Sequence, residues 1–330
     1  MMRSRQVLWS EMAEIAVSAG DVQQRAQALL APLSRVVPYA AAWIAVRDPE
    51  TREHSPVAQE GDTAPLATYF ALPEADHEIE LLGLNRFGPP VRASDLPLPL
   101  EEVRAWGEYL LPAGFRDGFV MGIFADDGRH LGFISLLTDD PAQRITDYVD
   151  LVAGARPMLA HALDRMPALA AVAQLVDDPI GGAVLSRGGR CLPVPGMPGH
   201  PLLTPTSPLV AVARTQAAST GAQVCFLCPW SESLLRVTVL NCLDERTDHL
   251  SAVVVLSTPH GHAEMGLTDL QVLGALLDGW PLARISAECA VPAVAHHLEQ
   301  LARQLDCASV HALLMLASAQ GLYVPPPLWP

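Results

Sequence analysis

Gly118-Phe-Val-Met-Gly-Ile-Phe-Ala125 and His130-Leu-Gly-Phe-Ile-Ser-Leu-Leu137 flank Asp126-Asp127-Gly128-Arg129. Two apolar runs around an Asp-Gly turn predict a β-hairpin, because that dipeptide tolerates the positive φ such turns need. Upstream, Ala40 to Val46 is a third apolar run, ended by Asp48-Pro49, and predicts a buried strand. Two helical patterns precede it. Leu8, Met12, Ile15 and Ala16 share one face, and Asp21 can cap a second helix carrying Ala26, Leu29, Leu30 and Leu33. A proline-rich middle, a helix near Leu100–Leu111 and a closing helix over Ile145–Met166 complete residues 1–165. Together these elements predict an α+β sheet domain.

Residues 166–262 are apolar and rich in Pro and Gly. Ala183–Ser186 and Cys191–Val194 flank Arg187-Gly188-Gly189-Arg190, a second hairpin, and Leu209–Ala217 predicts a helix. Gln223–Cys228, Leu234–Cys242 and His249–Ser257 predict three more strands, with Asp244–Asp248 as the turn between the last two. The expectation is a small antiparallel sheet, PAS-like or a β-rich linker domain. Residues 263–330 change period to helical. Thr268 to Gln271 has capping-box spacing, and Val272, Leu273, Leu276 and Leu277 follow on one face. Asp278-Gly279 ends that helix, and Pro281 sits in the first turn of the next. Pro292 opens a third, with Val294, Leu298, Leu301 and Leu305; Ser309 caps a fourth, closed by Gly321. Four short helices, two joined by a tight turn, predict a helix-turn-helix bundle.

Leu267-Thr268, Val272-Leu273, Gly279, Ile285-Ser286, Val294-Ala-His-His297-Leu298, Leu305-Asp306 and Ala317-Ser-Ala-Gln-Gly321-Leu322 stand at fixed spacings. In these residues the C-terminal segment resembles the DNA-binding domain of LuxR-type transcription regulators. The order of elements in 1–165, with its Asp-Gly hairpin and Gly132-Phe-Ile-Ser-Leu strand, resembles a GAF domain. The resemblances imply a GAF-like sensory domain (1–165), a small antiparallel-sheet region (166–262) and an all-α LuxR-type helix-turn-helix domain (263–330). They also imply a homodimeric regulator that senses a small molecule or protein partner and contacts DNA. Some GAF domains attach a bilin through cysteine, but the first cysteine here is Cys191, so that attachment is not available in 1–165.

The charge pattern cuts against part of this expectation. The chain of 330 residues carries a formal net charge of −15, and all 21 of its basic residues are arginines. Residues 263–330 hold two arginines, Arg284 and Arg303, against six acids. LuxR-type domains usually place a basic residue at the start of the recognition helix, where this chain has Ala293-Val294-Ala295, and another where it has Gln304. The turn before that helix is about two residues short of the family pattern. Phosphate contacts supply most non-specific affinity for DNA, and a DNA reader should show a basic footprint. Two possibilities stay open: a DNA-binding regulator, and a regulatory or dimerisation protein whose helix-turn-helix no longer binds DNA.

Candidate DNA-facing residues are Arg284, Ala293, Val294, Ala295, His296 and Arg303. His297 beside Leu298 is expected to face the core. Candidate ligand contacts in 1–165 are Trp43, Trp106, Tyr109 and Phe119. No Gly-x-Ser-x-Gly, His-Glu-x-x-His or phosphate-binding loop occurs, so neither a catalytic residue nor a cofactor is expected. Cys225-Phe-Leu-Cys228 has CxxC spacing but lies in a strand pattern with no second ligand pair, so buried structural thiols are expected and no metal. Glu11 and Glu14 interrupt the N-terminal apolar run, which is no secretory signal, and the charge-free stretch 191–213 contains six prolines, which excludes a membrane helix. A cytoplasmic protein is the expectation.

Overall fold

The computed structural model describes residues 2–140, 142, 145–219, 221–242, 249–259 and 265–329. It is a mixed α+β protein with two antiparallel sheets. Contacts divide the chain into two compact units, Met1–Arg165 and Met166–Pro330.

In the first unit, α1 (Met2–Ala16) and α2 (Val22–Ser34) precede β1 (Ala41–Arg47) and β2 (His54–Gly61). Asp21 caps α2 reciprocally with Gln24: the Gln24 N–H donates to the Asp21 carboxylate at 2.7 Å, and the Asp21 N–H to the Gln24 amide oxygen at 3.1 Å. The crossover carries α3 (Ala64–Phe70), α4 (Ala75–Leu81) and β3 (Val91–Arg92); β4 (Asp117–Phe124), β5 (His130–Thr138) and α5 (Val149–Leu163) follow. The strand order is β2-β1-β5-β4-β3. Strand alternation sorts the residues onto two faces. Ala42, Ile44, Phe119, Met121, Ile134 and Leu136 pack against α1, α2 and α5. Ala41, Trp43, Phe133 and Leu137 form a separate core under the crossover.

Three local expectations change. The proline-rich middle contains β2, which holds Pro56 because it is an edge strand and Pro56 lies at a bulge opposite Ala45. The helix expected near 100–111 is a 3-10 turn at Leu100–Glu102 and a π-type turn at Ala105–Leu110. The closing helix stops at Leu163, and α6 starts separately at Met166.

The second unit comprises α6 (Met166–Ala173), β6 (Pro179–Ser186), β7 (Cys191–Pro193), α7 (Pro208–Ser219), β8 (Gln223–Trp230), β9 (Ser233–Asn241) and β10 (Leu250–Ser257). Four helices follow: α8 (Leu267–Leu277), α9 (Leu282–Glu288), α10 (Val294–Gln304) and α11 (Val310–Gln320). The turn expected at 244–248 lies outside the described residues. The sheet runs β7-β6-β10-β9-β8. Counted from the start of each unit, this is the same strand order as in the first sheet. The α8 cap also differs from the expected one: Gly266 is the N-cap, and the Asp269 carboxylate, not Gln271, accepts its N–H at 2.8 Å.

The sequence suggested separate segments at 166–262 and 263–330, but one core spans both. Phe226, Val237 and Val254 of the sheet, Leu209 and Val210 of α7, and Leu273, Ile285, Leu298 and Leu313 of the four helices belong to the same buried cluster. The chain end joins them. The Leu227 N–H of edge strand β8 donates to Tyr323 O at 2.8 Å, and the Val324 N–H donates to Leu270 O in α8 at 3.0 Å. Gly321 ends α11 in the left-handed region (φ 69°) directly over Cys225. Gly274 of α8 lies so close to this segment that a Cβ would stand 2.0 Å from Val324 O. Gly274→Ala is therefore expected to push the tail off α8 and lower stability by about 1–3 kcal/mol, as overpacking does. A denaturant titration of residues 166–330 followed by Trp280 and Trp329 fluorescence checks it.

Candidate functional site

Helix α10 is amphipathic by spacing. Val294, Leu298, Leu301 and Ala302 are buried, while Ala295, His296, Glu299, Gln300, Arg303 and Gln304 are exposed. It follows α9 through a short turn in which Ala290 takes a left-handed conformation (φ 53°). Of the six candidate DNA-facing residues, Ala293, Ala295, His296 and Arg303 are exposed on or beside α10. Val294 is 4% exposed and belongs to the core, so it faces no groove. Arg284 is exposed, but its guanidinium stacks 3.4 Å from the Trp280 ring centroid, and the Trp280 ring packs on Trp329. Arg303 Nε donates to the Glu299 carbonyl at 3.2 Å. His297 is half-buried, with Nε2 2.8 Å from Asp269 Oδ1, so it ties α10 to the start of α8. One arginine and one glutamate thus face solvent along α10.

The first unit holds a cavity of about 80 Å³ between its sheet and the crossover, lined by Leu66, Phe70, Ile79, Trp106, Phe133 and Ser135 among others. That is smaller than the ~150 Å³ apolar cavity known to accept benzene, so a larger ligand enters only with movement of the crossover. Trp106 lies on the wall, and Phe119 borders it while its side chain packs in the helix-side core. Trp43 is 1% exposed and packs on Phe70 instead, and Tyr109 packs on Tyr69; neither lines the cavity. The sequence reading missed Glu78 of α4, which does. Its carboxylate accepts the Arg104 N–H at 2.7 Å, the Ala105 N–H at 3.2 Å and the Tyr69 hydroxyl, and so pins the π-type turn to α3. Burial and the Glu78 carboxylate raise the Tyr69 hydroxyl far above the usual phenol range.

A buried polar cluster closes the other end of the crossover. Arg47 of β1 makes a two-pronged ion pair with Asp76 of α4, at 2.8 and 3.1 Å. Arg52 also reaches Asp76, at 3.5 Å. His54 is 7% exposed, and its Nε2 stands 4.0 Å from Asp76 Oδ1 between the rings of Phe70 and Phe133. His130 stacks on Phe124. Burial pushes both histidines down to about 4, so both are neutral near pH 7.

Cys225 and Cys228 are free and buried in β8, and burial pushes the Cys228 thiol up to about 11. Neighbours three apart on a strand point to opposite faces, which separates the CxxC pair. No group of three potential metal ligands occurs among the described residues. No described helix is long and apolar enough to cross a membrane.

No family model matches the chain, and no curated protein matches it. Several solved structures are similar to parts of it. The bacteriophytochrome RpBphP3 from the photosynthetic bacterium R. palustris is 13% identical, with a TM-score of 0.37, over 78% of this chain and 63% of that one. This chain therefore spans less than two thirds of that protein's length. The nlh2 GAF domain of A. aeolicus in an inactive state is 11% identical, with a TM-score of 0.34, over 49% of this chain and 96% of that one. CepR2 of Burkholderia cenocepacia, an N-acylhomoserine lactone-dependent LuxR-family transcription factor, is 17% identical, with a TM-score of 0.34, over 48% and 92%. At these scores the similarities carry no conclusion about ligand or partner.

The buried histidines give the first unit a pH signature. The unfolded chain protonates them near 6.5 and the folded chain near 4, so the unfolded state binds more protons in between. Stability is present above 6.5 and falls as pH drops through 6.5 towards 4, by on the order of 3 kcal/mol for His54 alone. Hydrogen exchange of peptides 41–47 and 54–61 at pH 7 and pH 5 reads this, and His54→Phe should flatten the difference.

Proposed function

We propose that the chain is a signal-responsive transcription regulator, with a sensory first unit and a helix-turn-helix that presents α10 to DNA. The observation that carries this reading is the α9–α10 pair. Its two helices are packed by Ile285, Leu298 and Leu301 and joined by a tight turn, and one face of α10 stays open to solvent. That is the geometry by which a helix enters a major groove. Ala293, Ala295, His296 and Arg303 are its candidate contacts. The cavity beside Trp106 and Glu78 is the candidate place for a small, mainly apolar signal, and a homodimer would double the few cations available to DNA.

One observation favours a second reading. The open face of α10 balances Arg303 against Glu299, and Arg284 lies on Trp280. On that reading the helix-turn-helix serves a protein contact and has lost DNA binding.

Gel shifts of the full chain against genomic fragments across a salt series separate the two. A dimer using two arginines per chain should give a log–log salt slope of about −4, and Arg303→Ala should make the slope shallower by about 2 units. Absence of binding at the lowest salt, where phosphate contacts are strongest, would leave the second reading standing.

A further inference from the structure

One face of strand β9 forms the floor of a cleft, with Thr238 buried at its centre. Its Leu235, Val237 and Val239 point into the core shared with α7. Arg236, Thr238 and Leu240 point to the opposite face, as the period of a strand requires. On that face α6 covers β6 and β10 through Met166, Ala170, Val184 and Val253. Helix α11 and the chain end cover β8, with Gly321 over Cys225. Between these two covers lies an open cleft over β9.

The cleft consists of two adjoining cavities. One, of about 500 Å³, runs to Val172, Leu175 and Val176 at the end of α6. The other, of about 530 Å³, runs to Leu277 of α8, Ser318 of α11 and Tyr323 of the tail. Gln223 and Arg236 line both, which puts the guanidinium at their junction. Arg236 is partly buried, and its side chain makes no hydrogen bond or ion pair with any described residue. It is the cation that both cavities share, so an incoming carboxylate can pair with it from either side. The walls add the opposite chemistry. Val172, Leu175 and Leu277 are 44%, 81% and 38% exposed, so apolar surface flanks the cation on both sides.

We propose that this cleft binds a small amphipathic carboxylate, with Arg236 holding the carboxylate and the apolar body lying along Leu240 and the α6 wall. Among the described residues the cleft offers a single cation, Arg236, so it can hold only one negative group. Asp177 lines one cavity and Asp278 the other, so a second negative group on the ligand would face an acid. Asp278 itself accepts the Trp280 indole N–H at 2.8 Å. The volume suits a ligand of drug-like size. Such a ligand joins β9 to α6, while its carboxylate on Arg236 stands at the edge of the cavity bordered by α8 and α11. The site is separate from the cavity beside Trp106 and does not depend on DNA binding by α10.

The test is calorimetric titration of the full chain with octanoate and with octanol. Octanoate should bind saturably and more tightly than octanol. Arg236→Met, which keeps the apolar stem and removes the charge, should weaken octanoate about tenfold and leave octanol unchanged. On the unaltered chain, octanoate should also slow hydrogen exchange in peptides 166–177 and 233–241. The proposal is overturned by equal affinity of the Arg236→Met protein for octanoate, by no preference over octanol, by no binding, or by protection confined to residues 1–165.

Discussion

The second unit depends on one short segment of chain, Leu322 to Val324. Its two ends are tied in different directions: the Tyr323 carbonyl takes the Leu227 N–H from the edge of the sheet, and the Val324 N–H reaches Leu270 O in α8. An edge strand exposes unpaired donors that invite wrong partners, and the tail occupies one of them. A helix that accepts a neighbouring backbone so closely needs a residue without a side chain, and Gly274 meets that need. Because of these ties, α8–α11 share the core of the sheet and do not form a bundle of their own.

The four C-terminal helices are therefore not a separate body on a flexible linker. In this chain the helices and the sheet are packed through one buried core. The acidic balance of the last segment is consistent with that. His297 of α10 lies against Asp269 of α8, and the Arg284 guanidinium stacks on Trp280, so these side chains pack within the unit.

Much of the fold was legible because the relevant signals were local. The Asp-Gly hairpin, the Asp21 and Ser309 caps, Gly321 and the five strands of the second sheet follow from neighbours in sequence. The missed elements are edges and crossovers. Strand β2 contains Pro56 and polar residues because it pairs on one side only, and β3 is two residues long. The shared strand order of the two sheets was also hidden, since topology imposes no residue pattern. The candidate sites were legible in part. Helical period puts Arg303 and His296 on the open face of α10, whereas no local pattern tells that Trp43 and Tyr109 pack on Phe70 and Tyr69. Glu78 and Arg236 carry no motif, because the neighbours of each come from distant parts of the chain.

Sheet and helices of the second unit share one core and should therefore open as one cooperative body. Hydrogen exchange of residues 166–330 in increasing denaturant tests it most directly, comparing peptides from β8 and β9 with peptides from α8, α10 and α11. One shared midpoint is the predicted result, since a common core opens as a unit. Loss of protection in the helices at clearly lower denaturant than in the sheet would contradict it.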